Sequence, residues 1–377
     1  MAINEGSKSK VRTIRITSVG SLVGHNILES LAPRRQQWRV VGVNSQAQTA
    51  SNFRCDVAYL SPETRHEETY ISRLREILRI EQPAIVLAGR DLDLPPLARL
   101  KTEVEFTHTL FLCPSAAAVP VVNDKYATWL FANRHGLPFA LTAFDRTELD
   151  TLIARKGFPL ISKPRFGNAS RGVSILRSVA EAEAALTKGI FVFQEFLSPP
   201  PDLQAILTDF RLGIPLFYSI IEDDHYSAQG LVGNDGKLLG FLAVLNIMEG
   251  GKDVGHQLLD EPALAQLAAD YAAALSPLGY IGPLNLNCKK IGPDRFVPYE
   301  LNGRFTGATA ARAVLGYREV EYAVDYFLDG ILPKPLRESA SGCDALRPIV
   351  QRLPGTHLLA LDAVTRLVNA GIWPGDF

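Results

Sequence analysis

Two short stretches constrain this chain more than any others. Gly282-Pro-Leu-Asn285-Leu-Asn287 is answered by Tyr299-Glu300-Leu301-Asn302-Gly303-Arg304 across the turn signal Gly292-Pro293-Asp294. The pattern predicts two antiparallel strands. Strand residues two apart share a face, so Glu300, Asn302 and Arg304 point one way, with Asn287 beside them. A carboxylate, two amides and a guanidinium on one surface make a poor core. They suit Mg²⁺ carrying a polyphosphate, because hard cations take oxygen ligands and arginine grips phosphate oxygens. The exposed polar face of a surface hairpin is the plainer reading of the same residues.

The 377 residues suffice for two or three domains with real cores, and 21% charged residues describe an ordinary soluble globular protein. A net charge of −1 leaves no electrostatic footprint for nucleic acid or an anionic membrane, so any phosphate affinity must be local. Cys55, Cys113, Cys288 and Cys343 lack metal-ligand spacing and read as reduced thiols. Residues 1–10 are polar and read as a flexible N-terminus without a signal core. No apolar run approaches the ~20 residues a membrane span needs. The expectation is a cytoplasmic protein with no membrane and no nucleic-acid partner.

Residues 11–18 alternate like a strand, and Gly20-Ser-Leu-Val-Gly24 opens a helix through Leu31. Strands are expected at 39–43, 84–88 and 109–113 and a helix at 67–80, which together read as a parallel open sheet. The Gly20/Gly24 turn lacks the full G-x-G-x-x-G fingerprint, and a tight strand-to-helix turn needs glycine anyway. A nicotinamide oxidoreductase would rest on that turn alone. Asn44 and Asp91 fall at strand ends, where ligands collect in open sheets. Further on, helices are expected at 124–135, 180–187, 262–275, 308–314 and 319–328, with a short one near 362–370. Strands are expected at 159–163, 173–177 and 190–194. Residues 203–245 read as strand-like runs with a hairpin at Asn234-Asp235-Gly236.

Lys163 ends a strand and precedes the small-residue loop 166–172. Such a loop can offer backbone N–H groups to a triphosphate while the lysine supplies charge. A surface hairpin with a polar loop looks similar. Lys125, alone on its helix, reads as a solvated lysine. Gln194-Glu195-Phe196-Leu197 stops a strand before a proline run, which frees main-chain groups to pair with a purine edge or simply ends the strand.

In combination these segments resemble the ATP-grasp superfamily, in particular its short, carbamoyl-phosphate-synthase-like branch of carboxylate–amine ligases. The residues that carry the resemblance are Asn123-Asp-Lys125, Gly157-Phe-Pro-Leu-Ile-Ser-Lys163-Pro, Phe193-Gln-Glu195-Phe-Leu197, Gly282-Pro-Leu-Asn-Leu-Asn287 and Glu300-Leu-Asn-Gly-Arg304-Phe-Thr-Gly307, over residues 11–330. The resemblance implies a mixed α/β and α+β ATP-grasp fold. A Rossmann-like preATP-grasp domain would span 11–120 and the ATP-grasp domain 121–332, with subdomains at about 121–195 and 196–332. Residues 333–377 would form a C-terminal extension.

The resemblance also implies ATP and Mg²⁺ (or Mn²⁺) as cofactors. Lys125 and Lys163 would contact phosphates under a flap at 166–172 that includes Gly167, Ser170 and Gly172. Gln194, Glu195 and the backbone at Phe196 and Leu197 would hold adenine. Asn287, Glu300 and Asn302 would hold the metal, and Arg304 with Lys163 would serve the transferring phosphoryl group. Three departures stand out. Asn287 occupies a position where relatives often carry Gln, Glu or Asp. Gly303 replaces the usual proline, which loosens the backbone. The ribose acid falls to Asp202, with Glu222 and Asp223 competing. Arg312 and Gly303 are candidate substrate contacts, although a surface arginine explains Arg312 equally well. Glu249-Gly-Gly-Lys252 is a candidate pocket loop or merely a turn.

The implied function is an ATP-dependent carboxylate–amine ligase that forms an amide on a small amino-acid-like substrate through an acylphosphate, releasing ADP and phosphate. Its partners would be a small-molecule acid and amine, in a homodimer such as relatives commonly form. A carbamoyl- or carboxyphosphate-type synthase fits less well, since the sequence shows one ATP-grasp unit and no glutaminase or biotin-carrier segment. A catalytically silent nucleotide-binding regulator has no physical need for both lysines, Glu300, Asn302 and Arg304. No dedicated general base is identifiable.

Overall fold

The computed structural model describes residues 11–167, 171–209, 224–249, 252–333, 349–351 and 361–374. The chain begins as a β/α alternation: β1 (Arg12–Ile16), α1 (Leu22–Leu31), β2 (Trp38–Asn44), β3 (Val57–Leu60), α2 (Glu67–Glu81), β4 (Ile85–Leu87), α3 (Leu94–Leu100) and β5 (Leu110–Leu112). The strands pair in parallel in the order β3-β2-β1-β4-β5. They are buried on both faces, with Ile14, Ile16, Val40, Val41, Val86 and Leu87 fully enclosed. This explains why they read as short apolar runs. The chain reverses strand order between β1 and β4, so a crevice forms at their carboxyl ends. Asp91 stands there, just beyond β4.

The Gly20/Gly24 turn is packed rather than open. Ser21 caps α1, accepting from Gly24 N at 3.0 Å and donating to Gly89 O at 2.7 Å. A Cβ on Gly20 would lie 2.3 Å from Asn44 Nδ2, and one on Gly24 would lie 2.6 Å from Val19 Cα. These glycines permit close strand–helix packing, and Asn44 spends its amide on Gln46 O and Asn52 Oδ1.

A second group follows: α4 (Val119–Asn123), α5 (Lys125–Arg134), β6 (Thr142–Ala143), α6 (Arg146–Lys156), β7 (Leu160–Pro164), β8 (Ser174–Leu176), α7 (Val179–Leu186), β9 (Phe191–Glu195) and α8 (Leu203–Asp209). Its strands form a small antiparallel sheet, β6-β9-β7-β8. The sheet has its own core of Leu149, Leu152, Leu160, Leu176 and Phe193. Residues 203–209 are helical, not strand-like. Helix α6 had no clear sequence signal because it buries only Leu149 and Leu152.

The third group is a large antiparallel sheet, β14-β13-β10-β11-β12-β15. It comprises β10 (His225–Val232), β11 (Leu238–Glu249), β12 (Lys252–Leu259), α9 (Pro262–Leu275), β13 (Gly282–Gly292), β14 (Arg295–Asn302), α10 (Thr309–Val314), α11 (Glu319–Asp329) and β15 (Ile349–Gln351). The expected turn at Asn234-Asp235-Gly236 joins β10 to β11, with Gly236 at φ +77°. One continuous core runs from Val41, Val86 and Phe111 of the first sheet to Ala228, Leu284 and Leu286 of the large one. The chain then returns through α12 (Leu361–Ala370) to β16 (Ile372–Trp373), which pairs antiparallel with β3 and covers that edge of the first sheet. Among the described residues Cys55, Cys113 and Cys288 are free and buried.

Candidate active site

Strands β13 and β14 pair as the alternation predicts, with Asn287 opposite Glu300 and Asn285 opposite Asn302. Asn287 Nδ2 donates to Glu300 Oε2 at 3.1 Å, and Asn302 Nδ2 to Asn285 Oδ1 at 3.4 Å. Past the strand, Arg304 is buried. Its Nη2 donates to Asp91 Oδ2 at 2.6 Å and to Asn302 Oδ1 at 3.1 Å, and its Nη1 to Phe305 O at 3.0 Å. A Cβ on Gly303 would meet Val122 Cγ2 at 2.6 Å and Pro114 Cγ at 3.0 Å. This corrects the expected looseness: glycine is needed there because another segment of the chain packs against the backbone.

The small sheet faces this floor. Lys163, 6% exposed, donates to Gln194 Oε1 at 2.7 Å and to Tyr299 O at 2.8 Å. Burial pushes its ammonium down to about 7; the Glu300 carboxylate works against that shift and Lys125 adds to it. Asp124 ends α4 and caps α5, accepting from Tyr126 N at 3.0 Å. Lys125 therefore starts the helix, with Nζ donating to Gly167 O at 2.8 Å and lying 3.6 Å from Glu300 Oε1. Asp124 also takes a forked pair from Arg165 at 2.6–2.9 Å, while that guanidinium lies over Tyr126, Phe144 and Phe166. Gly167 and Gly172 have φ of +124° and +74°, conformations that favour glycine. Ser170 lies outside the described residues.

The strand-end segment divides by strand alternation. Gln194 faces Lys163 and also donates to Thr142 Oγ1 at 3.0 Å. Glu195 points to the other face, where it accepts from Leu141 N at 2.8 Å and pairs with Lys156 at 2.6 Å. Its side chain is thus not brought to the lysines; only its main chain, with Phe196 and Leu197, borders them. Among the described residues the N–H groups of Phe196 and Leu197 donate to no other main-chain group. Asp202 is exposed at the start of α8. Glu222, Asp223 and the glycines of Glu249-Gly-Gly-Lys252 fall outside the described residues. Arg312 is neither on the surface nor directed at Glu300. It is 1% exposed, donates to Thr306 Oγ1 at 2.6 Å and Ser227 Oγ at 3.0 Å, and lies 3.6 Å from Glu319.

A cleft between the sheets is lined by Asp91, Asn123, Lys125, Gly167, Glu300 and Asn302. Its donor set is all oxygen. Among the described residues no three His, Cys, Asp or Glu side chains come together. The Glu300 carboxylate and the amides of Asn287 and Asn302 do not hold a divalent cation unaided, but they fit one that arrives with phosphate oxygens. Sequence reasoning noted Asp91 only as a strand-end residue and missed its pairing with Arg304; the strand-end rule was the one available signal.

No family model matches the sequence. An alignment of 127 positions, covering 30% of this chain and 31% of the relative's length, is 28% identical to a formate-dependent phosphoribosylglycinamide formyltransferase of Burkholderia mallei. Among solved structures, N5-carboxyaminoimidazole synthetase from Staphylococcus aureus, complexed with ADP, superposes with a TM-score of 0.64. It is 12% identical over 86% of this chain and 79% of that one. The L-amino acid ligase from Bacillus licheniformis gives a TM-score of 0.60, at 14% identity over 84% and 74% of the two chains. The chain has the ATP-grasp fold.

Within this ATP-grasp fold, Lys125 at the start of α5 and Glu300 and Asn302 of β14 line the cleft, while Lys163 is bonded to Tyr299 O and Arg304 to Asn302 beside it. Among the described residues no helix is long and apolar enough to cross a membrane.

Proposed function

We propose that the protein is an ATP-dependent carboxylate–amine ligase acting on small, amino-acid-like substrates. The observation that carries this reading is the convergence around one cleft of Lys125 from α5 and Lys163 from the small sheet with Glu300, Asn287, Asn302 and Arg304 from the large sheet and its end. Lys125, Lys163 and Arg304 supply positive charge where a triphosphate would lie. Gln194 and Tyr299 O hold Lys163 in place, and Asp91 and Asn302 do the same for Arg304, so little reorganisation is needed as charge shifts. Asn287, Glu300 and Asn302 would hold Mg²⁺, which when bound offsets charge on the phosphate oxygens. Asp202 remains the candidate for the ribose hydroxyls, and the main chain at Glu195–Leu197 for adenine.

In this scheme a carboxylate oxygen attacks the γ-phosphorus in line, ADP departs, and an amine displaces phosphate from the acylphosphate. Gly167 lines the cleft, and the task of the loop it opens would be to exclude water from that intermediate. The kinship in fold to an L-amino acid ligase supports this choice of substrate class. An ADP-release screen of amino acids and small carboxylates, singly and in pairs, tests it. Turnover that requires both an acid and an amine is the expected result. ADP release driven by bicarbonate alone would instead indicate a carboxyphosphate-type synthase, and tight ATP binding without turnover a regulator.

A further inference from the structure

An amine that reaches the cleft as an ammonium carries two protons more than the amide it becomes. Departing phosphate accounts for one of them; the other needs an acceptor. Among the described residues, the carboxylates lining the cleft are Asp91 and Glu300. Glu300 is engaged with Asn287 and Lys125 in the candidate metal seat. Asp91 comes from the first sheet, at the crevice where strand order reverses, and contributes nothing to that seat. We propose that Asp91 receives the amine substrate's ammonium group and takes a proton from it as the C–N bond forms. This inference rests on the ligase reading.

The placement suits the task. Arg304 Nη2 bridges Asp91 Oδ2 at 2.6 Å and Asn302 Oδ1 at 3.1 Å, so a single guanidinium nitrogen separates the acceptor from the metal seat. The turn Asp91–Asp93 is anchored. Asp93 is fully buried and accepts from Thr17 Oγ1 at 2.7 Å, Ser18 Oγ at 2.9 Å and Tyr70 Oη at 3.1 Å. Asp91, at the start of this anchored turn and with its own carboxylate held by Arg304, can orient a nucleophile as well as attract it.

In the step itself, the nitrogen lone pair attacks the acylphosphate carbonyl carbon. The C–O bond to phosphorus breaks with its electron pair on the leaving phosphate. Of the two protons shed by nitrogen, one leaves on phosphate as hydrogen phosphate, and the other passes to Asp91 and then to solvent. Hydroxylamine, neutral at pH 7, sheds a single proton, which phosphate takes, and so has no need of Asp91.

The test compares these nucleophiles using the full chain, ATP, Mg²⁺ and each panel acid that drives ADP release. Asp91→Asn is expected to lower amide formation from an L-amino acid by about 100-fold or more, the scale of general acid–base catalysis. Hydroxamate formation with hydroxylamine should fall by no more than about tenfold, through the weakened hold on Arg304. Asp91→Glu should recover part of the amide rate, which also guards against a folding defect in the first variant. Equal losses with both nucleophiles would mean that Asp91 acts only through Arg304 and would overturn the inference. A wild-type protein that makes no hydroxamate from any panel acid would overturn the ligase reading and this inference together.

Discussion

On the large sheet, Asn287, Glu300 and Asn302 stand in register because a ladder of main-chain hydrogen bonds fixes β13 against β14. Across the cleft, Lys163 of the small sheet and Lys125 at the start of α5 meet that floor through side chains, Lys163 at Tyr299 O and Lys125 at Glu300. The floor shares the main core, while the small sheet closes around a core of its own. The floor is thus set by a strand ladder, and the lysines reach it by individual side-chain contacts, each worth roughly 0.5–3 kcal/mol. A floor variant should alter chemistry without moving its neighbours. A variant on the lysine side should alter how nucleotide is gripped.

The sharpest test of that contrast is Glu300→Ala, which removes the floor's sole carboxylate. Mg²⁺-dependent ADP release is expected to fall by about 10³-fold or more, on the scale of a lost electrostatic group in a preorganised site. An unchanged rate would end the assignment of the floor. Gly303→Ala comes next. Its methyl group has no room beside Val122 and Pro114, so a loss of about 1–3 kcal/mol is expected in urea unfolding.

On the lysine side, Lys163 is pushed down to about 7 by burial, whereas phosphate oxygens favour its charged form. The free protein therefore holds a neutral amine above pH 7 and must take up a proton when nucleotide binds. Affinity for ATP should fall by up to about tenfold per pH unit above 7 and level off below it. Isothermal calorimetry in buffers of different ionisation enthalpy reads the proton uptake directly, and its absence would break the placement of Lys163 against phosphate. The smallest effect is expected from Glu195→Gln. Because that side chain faces Lys156 and Leu141, ATP affinity should change by less than about twofold.

The floor was legible because its chemistry is local. Glu300 and Asn302 sit two apart on one strand, and Asn287 lies across a single hairpin. The open sheet was legible too, since strands buried on both faces leave uninterrupted apolar runs. What could not be read depends on contacts between distant segments. Asp91 and Arg304 are 213 positions apart, and neither sequence neighbourhood announces the other. Gly303 seemed a relaxation of the chain only because Val122 and Pro114 were not visible as its neighbours. The reading of Arg312 as a surface arginine failed because Thr306, Ser227 and Glu319 enclose it. Helices α6 and α8 were missed for different reasons: α6 buries only Leu149 and Leu152, and α8 has seven residues, too few to set a 3.6-residue period.

The pairing of β16 with β3 has a consequence for the order of assembly. Residues 57–60 leave the ribosome more than 300 residues before the strand that covers their edge. Throughout that interval β3 offers unpaired N–H and C=O groups to any extended segment it meets, including the same strand of another nascent chain. The last pairing in the first sheet is therefore its longest-range one, and chaperone capture or interchain strand exchange during synthesis should concentrate at this edge.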